Sequence, residues 1–137
     1  MTAGFMGTFV GYEVICPSNN FHYSTSYLFG AGPFQDAGLK ANYTFSEKVA
    51  LMVGIFNDWN VYQDFNGVSH FGSQLSIIPN EASSFYLNFL TGSSVGGAEN
   101  YSSGTLLDLV GNYSFSPRFT LGLNATNYNQ KGDAGYS

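Results

Sequence analysis

Alternation of apolar and polar residues is the dominant pattern in this chain, and it predicts β-strands rather than helices. In the stretch GLKANYTFSEKVALMVGIF, Val49, Leu51 and Val53 alternate with other residues after the short turn SEK, and the residues before that turn alternate in the same way. Successive side chains of a strand point to opposite faces. The stretch therefore predicts a hairpin with one apolar and one more polar face.

Seven segments carry this alternation and are predicted as strands: residues 4–13, 36–45, 49–59, 70–78, 84–91, 105–115 and 119–128. The stretch CPSNNFHYSTSYLFGAGPF, between the first two, predicts a long folded loop with a short strand over residues 23–28. The later connections alternate between short ones (SEK, PNEAS, SPR) and long ones (NVYQDFNGVS, GSSVGGAENYSSG). This order is typical of an antiparallel up-and-down meander with tight turns at one end, as in outer-membrane barrels.

The function depends on which face of these strands meets water. In a soluble sheet the polar face is exposed, whereas in a membrane barrel the apolar face is turned outward to lipid. The polar faces here are small and largely uncharged, which favours a lumen over a soluble surface. We therefore predict an all-β fold: an antiparallel up-and-down meander that is a segment of a transmembrane outer-membrane β-barrel. Residues 1–137 form a partial barrel of about six or seven strands, with both flanks missing.

Composition supports this interpretation and excludes two other classes. Asp, Glu, Lys and Arg make up 9% of the chain, against about 25% in typical soluble domains. No run approaches the roughly 18 apolar residues of a membrane-spanning helix. The net charge is −5 with four Lys and Arg in all, and nucleic-acid binding needs clustered basic residues. Helical membrane proteins and nucleic-acid-binding proteins are therefore excluded.

The predicted faces give two sets of candidate residues. Polar positions on the predicted inner face are expected to line the lumen: Glu13, Asp36, Lys40, Asn42, Asp58, Gln74, Asn88, Asp108, Asn112 and Asn124. The charged members are acidic on balance, from which we expect a mild preference for cations or neutral solutes. Aromatic residues at strand ends are expected to form girdles at the two membrane interfaces: Tyr43, Phe45, Phe85, Tyr113, Phe115 and Phe119 near the short turns, and Trp59 and Phe71 towards the long loops.

The chain resembles the OmpL-like beta-barrel porin family of Gram-negative bacteria over nearly its whole length. The distinctive pieces are Gly11, Tyr12 and Glu13 before a loop containing Pro and Asn, the motif GPF at residues 32–34 leading into Gly38, and LLD at 106–108 opening a strand. The resemblance implies an outer-membrane pore with more strands than are present here.

Little in the sequence points to catalysis. With two His and one Cys in the chain, a metal site or a Cys/His pair would need both histidine regions to converge. We expect no enzyme activity, no cofactor and no metal. The predicted function is passive diffusion of small hydrophilic solutes through an outer-membrane porin, with the lipid bilayer as partner. The alternatives are a secreted soluble β-sandwich acting as a carbohydrate-binding module, and an enzyme embedded in a barrel that uses His22 or His70.

Overall fold

The computed structural model describes residues 1–58, 63, 69–96 and 101–131. Seven strands follow one another along the chain: β1 (Thr2–Gly7), β2 (Gln35–Ser46), β3 (Val49–Phe56), β4 (His70–Asn80), β5 (Ser83–Gly96), β6 (Tyr101–Ser116) and β7 (Phe119–Lys131). The connection between β1 and β2 contains a 3₁₀ turn (Pro17–Asn19) and a short helix, α1 (Tyr27–Ala31). The seven main predicted strands are present among the described residues, in the predicted order.

All seven strands belong to one antiparallel sheet in which spatial order equals chain order, β1 to β7. This confirms the predicted all-β, up-and-down meander. Within the described ranges there is no second sheet of the kind that a sandwich requires. β1 and β7 lie at the two edges of the sheet.

Three of the predicted element boundaries are wrong. The first strand ends at Gly7 rather than at residue 13, because the chain turns away from the sheet before Val10. The short strand predicted over residues 23–28 is absent, and residues 27–31 form a helix, because the Ser26 hydroxyl accepts a hydrogen bond from the backbone N–H of Phe29 and caps the helix. The predicted long loop over residues 92–104 is largely paired strand, with Gly92 opposite Gly104 and Gly96 opposite Tyr101.

The two faces of the sheet are defined by the register of the strands. Asn42, Met52, Gln74, Asn88, Asp108 and Thr126 stand opposite one another in successive strands and form one cross-strand row. We call the face that carries this row the inner face, and the opposite one, which carries Leu107 and Leu109, the outer face.

The outer face is apolar and exposed. Ile55 is 57% exposed, Leu121 54% and Leu123 56%, and the rest of this face is built in the same way, with Leu39, Val53, Ile77, Leu87, Leu107 and Leu109 also exposed. In the part of the chain that the structure describes, no helix has the length and apolar character needed to cross a membrane.

The buried apolar cluster lies on the inner face, where the sequence predicted polar contacts with solvent. It consists of Val10, Met52, Phe56, Leu90 and Leu106, with Met6 and Phe9 packed against it. Val10 and Phe9 come from the connection between β1 and β2, so this connection covers the apolar residues of the inner face. The inner face of the sheet is therefore partly covered by this connection, whereas the outer face is uncovered.

Candidate functional site

The connection between β1 and β2 folds across the inner face of the sheet. Its base is closed by a backbone hydrogen bond of 3.0 Å from the N–H of Thr8 to the carbonyl of Phe34. We call residues 8–34 the inward loop. Its first part, residues 9–12, lies across the inner face from β3 and β4 to β7, and we call it the crossing segment.

Asp108, on the inner face of β6, fixes the crossing segment. Its Oδ2 accepts a 2.9 Å hydrogen bond from the backbone N–H of Gly11 and a 2.8 Å bond from Nδ2 of Asn88. Its Oδ1 accepts bonds of 2.6 Å from Nδ2 of Asn124 and 2.5 Å from Oγ1 of Thr126. An ionised carboxylate is a pure acceptor with about four lone-pair sites. The four donors therefore satisfy this fully buried side chain.

The hydrogen bonds continue from Asp108 towards β4. Gln74 donates through Nε2 to Oδ1 of Asn88 at 2.7 Å and to the backbone carbonyl of Phe9 at 3.0 Å. The backbone of the crossing segment is thus held at two points. Gln74 donates to the carbonyl of Phe9, and Asp108 accepts from the N–H of Gly11. We call this set, Gln74, Asn88, Asp108, Asn124 and Thr126, the polar ladder.

Two aromatic side chains of the crossing segment pack onto glycines of the sheet. The rings of Phe9 and Phe56 are 5.6 Å apart, and a Cβ atom at Gly72 would lie 2.7 Å from Cζ of Phe9. A Cβ atom at Gly122 would lie 2.7 Å from Oη of Tyr12. These distances are far shorter than ordinary carbon contacts. The absence of a side chain at both positions therefore lets the aromatic residues lie directly on the sheet.

Gly11 lets the crossing segment turn its N–H towards Asp108. Its φ angle is +91°, in a region that glycine adopts without steric penalty and other residues rarely adopt. Because the N–H of this residue is the one that Asp108 accepts, the backbone conformation and the hydrogen bond depend on each other.

The rest of the inward loop is held by its own polar contacts. The Glu13 carboxylate accepts hydrogen bonds from the backbone N–H and the hydroxyl of Ser26. Asn20 accepts from the N–H of Val14 at 2.8 Å and donates to the carbonyl of the same residue at 2.7 Å. The loop therefore has a fixed internal structure, although most of its side chains are exposed.

The residues predicted to line the lumen fall into three groups. Those on strands share the inner face: Asp36, Lys40, Asn42, Gln74, Asn88, Asp108, Asn112 and Asn124. Asp58 follows the end of β3 and is buried, with its Oδ1 3.4 Å from Nε2 of His70. Glu13 lies in the inward loop rather than in a strand.

Asp36 has different surroundings from Asp108. It is 1% exposed, and neither carboxylate oxygen makes a hydrogen bond of normal geometry to the described residues. Its polar neighbours include Thr8, Lys40 and His70. Asp36 and Asp108 are thus both buried, but Asp108 has a full set of hydrogen-bond donors and Asp36 does not.

The predicted girdle residues that the structure describes are exposed on the outer face: Tyr43, Phe45, Phe71, Phe85, Tyr113, Phe115 and Phe119. Near the short turns they pack edge to face, with ring centroids 4.8 Å apart for Tyr43 and Phe45 and 4.6 Å apart for Tyr113 and Phe115. Trp59 lies outside the described residues.

The sequence analysis predicted neither the inward course of residues 9–12 nor the pairing of Asp108 with Asn88. A signal for the second was present, because Asn88 and Asp108 are equally far from Ala98, the middle of the glycine-rich connection. A hairpin centred on that position would place Asn88 opposite Asp108, which is the pairing observed. For the crossing segment, the signal was weaker: Gly11 interrupts the alternation of the first predicted strand.

The described residues include no group of three or more His, Cys, Asp or Glu arranged to bind a metal. No curated protein and no solved structure matches the chain. Residues 1–137 match the family described as "Putative beta-barrel porin-2, OmpL-like". The match covers every residue, and the single up-and-down sheet is consistent with a segment of such a barrel. The chain belongs to this OmpL-like family of beta-barrel porins.

Proposed function

We propose that this chain forms part of the wall of a water-filled pore in the bacterial outer membrane, through which small hydrophilic solutes diffuse passively. The inward loop narrows the pore. No bond is made or broken in this process, and the inner face serves as the lining.

The observation that carries the proposal is the exposed apolar outer face. Soluble monomers rarely expose contiguous apolar patches of more than a few hundred Å², and here this character continues across all the long strands, with Ile55, Leu107 and Leu123 as examples. Lipid covers such a surface without requiring a second protein layer. The aromatic residues at its short-turn end fit the interface with lipid headgroups.

The edges of the sheet support the presence of further strands. A sheet in lipid must close, because unpaired backbone groups in hydrocarbon cost several kcal/mol each, and spanning barrels start at about eight strands. The seven strands described here leave β1 and β7 as edges. We therefore propose that additional strands join these two edges and complete a larger barrel.

The inner face supports weak charge selectivity. The carboxylates of Asp108 and Glu13 are engaged by donors from the protein, and Asp36 and Asp58 are buried. Solutes passing the crossing segment therefore meet mainly amides, hydroxyls and aromatic rings. We propose a pore with a slight preference for cations and neutral solutes.

The direct test is to reconstitute the intact protein into planar lipid bilayers and to record single-channel currents, with boiled and unboiled samples compared on detergent gels. We expect ohmic conductance steps and, in a salt gradient, a reversal potential that is near zero or shifted slightly in the direction of cation selectivity. On detergent gels we expect the unboiled sample to migrate differently from the boiled one, because a closed barrel resists unfolding by the detergent until it is heated. A protein that stays monomeric and soluble without detergent and carries no current would contradict the proposal.

The role of the inward loop can be tested in the same recordings. Replacement of residues 9–33 by a short Gly-Ser linker is expected to raise the single-channel conductance, because the segment that crosses the inner face is removed. Tyr27→Ser is the matched control, since this loop residue is fully exposed and contacts no strand. Equal conductance of the linker variant and the control would show that the loop does not narrow the pore.

A further inference from the structure

A second feature of the inner face is a pocket beside the crossing segment, on the side of the short turns. It has a volume of about 360 Å³, and its polar and aromatic lining comes from Phe9, Tyr12, Asn19, Gln74, Tyr86, Asn88 and Asn112. Ligand pockets of proteins usually have volumes of about 300–1,000 Å³. The pocket is therefore large enough for one ring of a small organic solute.

The lining carries no charged side chain. The carboxylate of Asp108 accepts a hydrogen bond from Asn88 and is fully buried, with its four donors already in place. An anion entering the pocket would lose water without gaining a positive counter-charge, which is unfavourable. The pocket therefore selects against anions.

Several lining groups are available to a ligand. Tyr86 and Asn112 are half-buried and face the pocket, and their side chains make no hydrogen bond to the residues that the structure describes. An amide offers both donors and an acceptor, and a phenol offers one of each. Hydroxyl groups of a solute, which also donate and accept, are their natural complement.

Aromatic rings line the pocket from both sides. Tyr12 belongs to the inward loop and Tyr86 to the sheet. The face of a sugar ring consists of C–H groups, which pack on aromatic rings, while its hydroxyls project from the rim. Amides at the rim and tyrosines on two walls match this distribution.

We propose that this pocket binds one ring of an uncharged polyhydroxylated solute, a sugar, as the solute passes the inward loop. The inference rests on the proposed pore, because it makes the pocket a stopping point along the permeation path. The pocket requires the crossing segment to be in place, since Tyr12 is held there.

The experiment measures the block of ion current by glucose and by glucose 6-phosphate in planar bilayers that contain the intact protein. Glucose is expected to reduce the current with a half-blocking concentration on the order of 1 mM. Glucose 6-phosphate has the same ring with added negative charge. Its half-blocking concentration is expected to be at least roughly tenfold higher, because an unpaired negative charge in the pocket is unfavourable.

Two variants test the assignment of the pocket. Asn112→Leu is expected to raise the half-blocking concentration of glucose about fivefold, through loss of a hydrogen bond of about 1 kcal/mol. Ser84→Ala is the matched control, because Ser84 stands opposite Asn112 in the neighbouring strand but does not line the pocket. Calorimetric titration of the folded protein in detergent with glucose measures binding independently of any current.

The outcomes separate the two proposals. Current without block by glucose at about 100 mM, where a millimolar site would be saturated, overturns the sugar site and leaves the pore. Equal block by the phosphorylated sugar also overturns it. Binding in calorimetry with no current supports the pocket and overturns the pore.

Discussion

The two faces of the sheet belong to the same strands but are stabilised in different ways. On the inner face, specific donors and acceptors form hydrogen bonds, as the four donors around Asp108 do. On the outer face, Leu109 and Leu123 have no comparable partners and remain exposed. The stability of the inner face therefore depends on the identity of each hydrogen-bonding side chain. The stability of the outer face depends only on the apolar character of its side chains.

A charge on the outer face gives the largest expected effect. Leu109→Arg places a guanidinium where lipid is proposed to lie, and near the middle of a bilayer this costs about 2–4 kcal/mol. Ser76→Arg is the control, because Ser76 is on the inner face of β4. The measurement is the free energy of unfolding in urea for the intact protein refolded into phosphatidylcholine vesicles. An equal decrease in the free energy of unfolding in both variants would contradict the proposal that only the outer face contacts lipid.

Loss of an acceptor at the centre of the polar ladder comes next. Asp108→Asn replaces one carboxylate oxygen by an NH₂ group that faces donors, so we expect a loss of about 2–3 kcal/mol, the value of about one hydrogen bond to a charged group. The same unfolding titration measures it, and single-channel conductance is expected to rise as the crossing segment loosens. Unchanged stability would show that the ladder does not hold the segment.

The same chemical change at Asp36, which lacks such donors, is expected to change the free energy of unfolding in the opposite direction. Asp36→Asn removes a buried charge whose oxygens make no hydrogen bond of normal geometry. We expect the free energy of unfolding to rise by about 1 kcal/mol, because burial of an incompletely satisfied carboxylate is unfavourable. A decrease similar to that of Asp108→Asn would instead show that Lys40 and His70 stabilise the carboxylate through their charges.

A conservative exchange on the outer face is expected to have the smallest effect. Leu123→Ile keeps volume and apolar character, and since fluid lipid adapts to either shape, the change in the free energy of unfolding is expected to stay below about 0.5 kcal/mol. The titration used for the other variants applies here. A loss above about 1.5 kcal/mol, beyond what tolerated apolar exchanges cost in protein cores, would reveal close packing of Leu123 against another protein surface.

The sequence predicted the strands well because their two faces differ so clearly in polarity. β2, β3, β4 and β7 begin within one residue of the predicted positions. The extensions of β5 and β6 over residues 92–96 and 101–104 were missed, because Gly and Ser carry no apolar alternation, although their backbone groups pair as well as any others.

The candidate site was predicted less completely, for a physical reason. Alternation tells which face a side chain occupies, and it placed Gln74, Asn88 and Asp108 together. It does not tell what covers that face. The crossing segment lies there because Gly11 adopts a positive φ angle and because Gly72 and Gly122 leave space for Phe9 and Tyr12. These are contacts between residues far apart in the chain, which no local pattern reveals.

The bond between Gly11 and Asp108 joins residues that are 97 positions apart. The inward loop is synthesised early, but its anchor arrives only when β6 is added to the sheet. Contacts of such long range form late, since the chain between them must first be ordered. The inward loop is therefore expected to reach its final position only after β6 has joined the sheet, so that the proposed pore narrows late in folding.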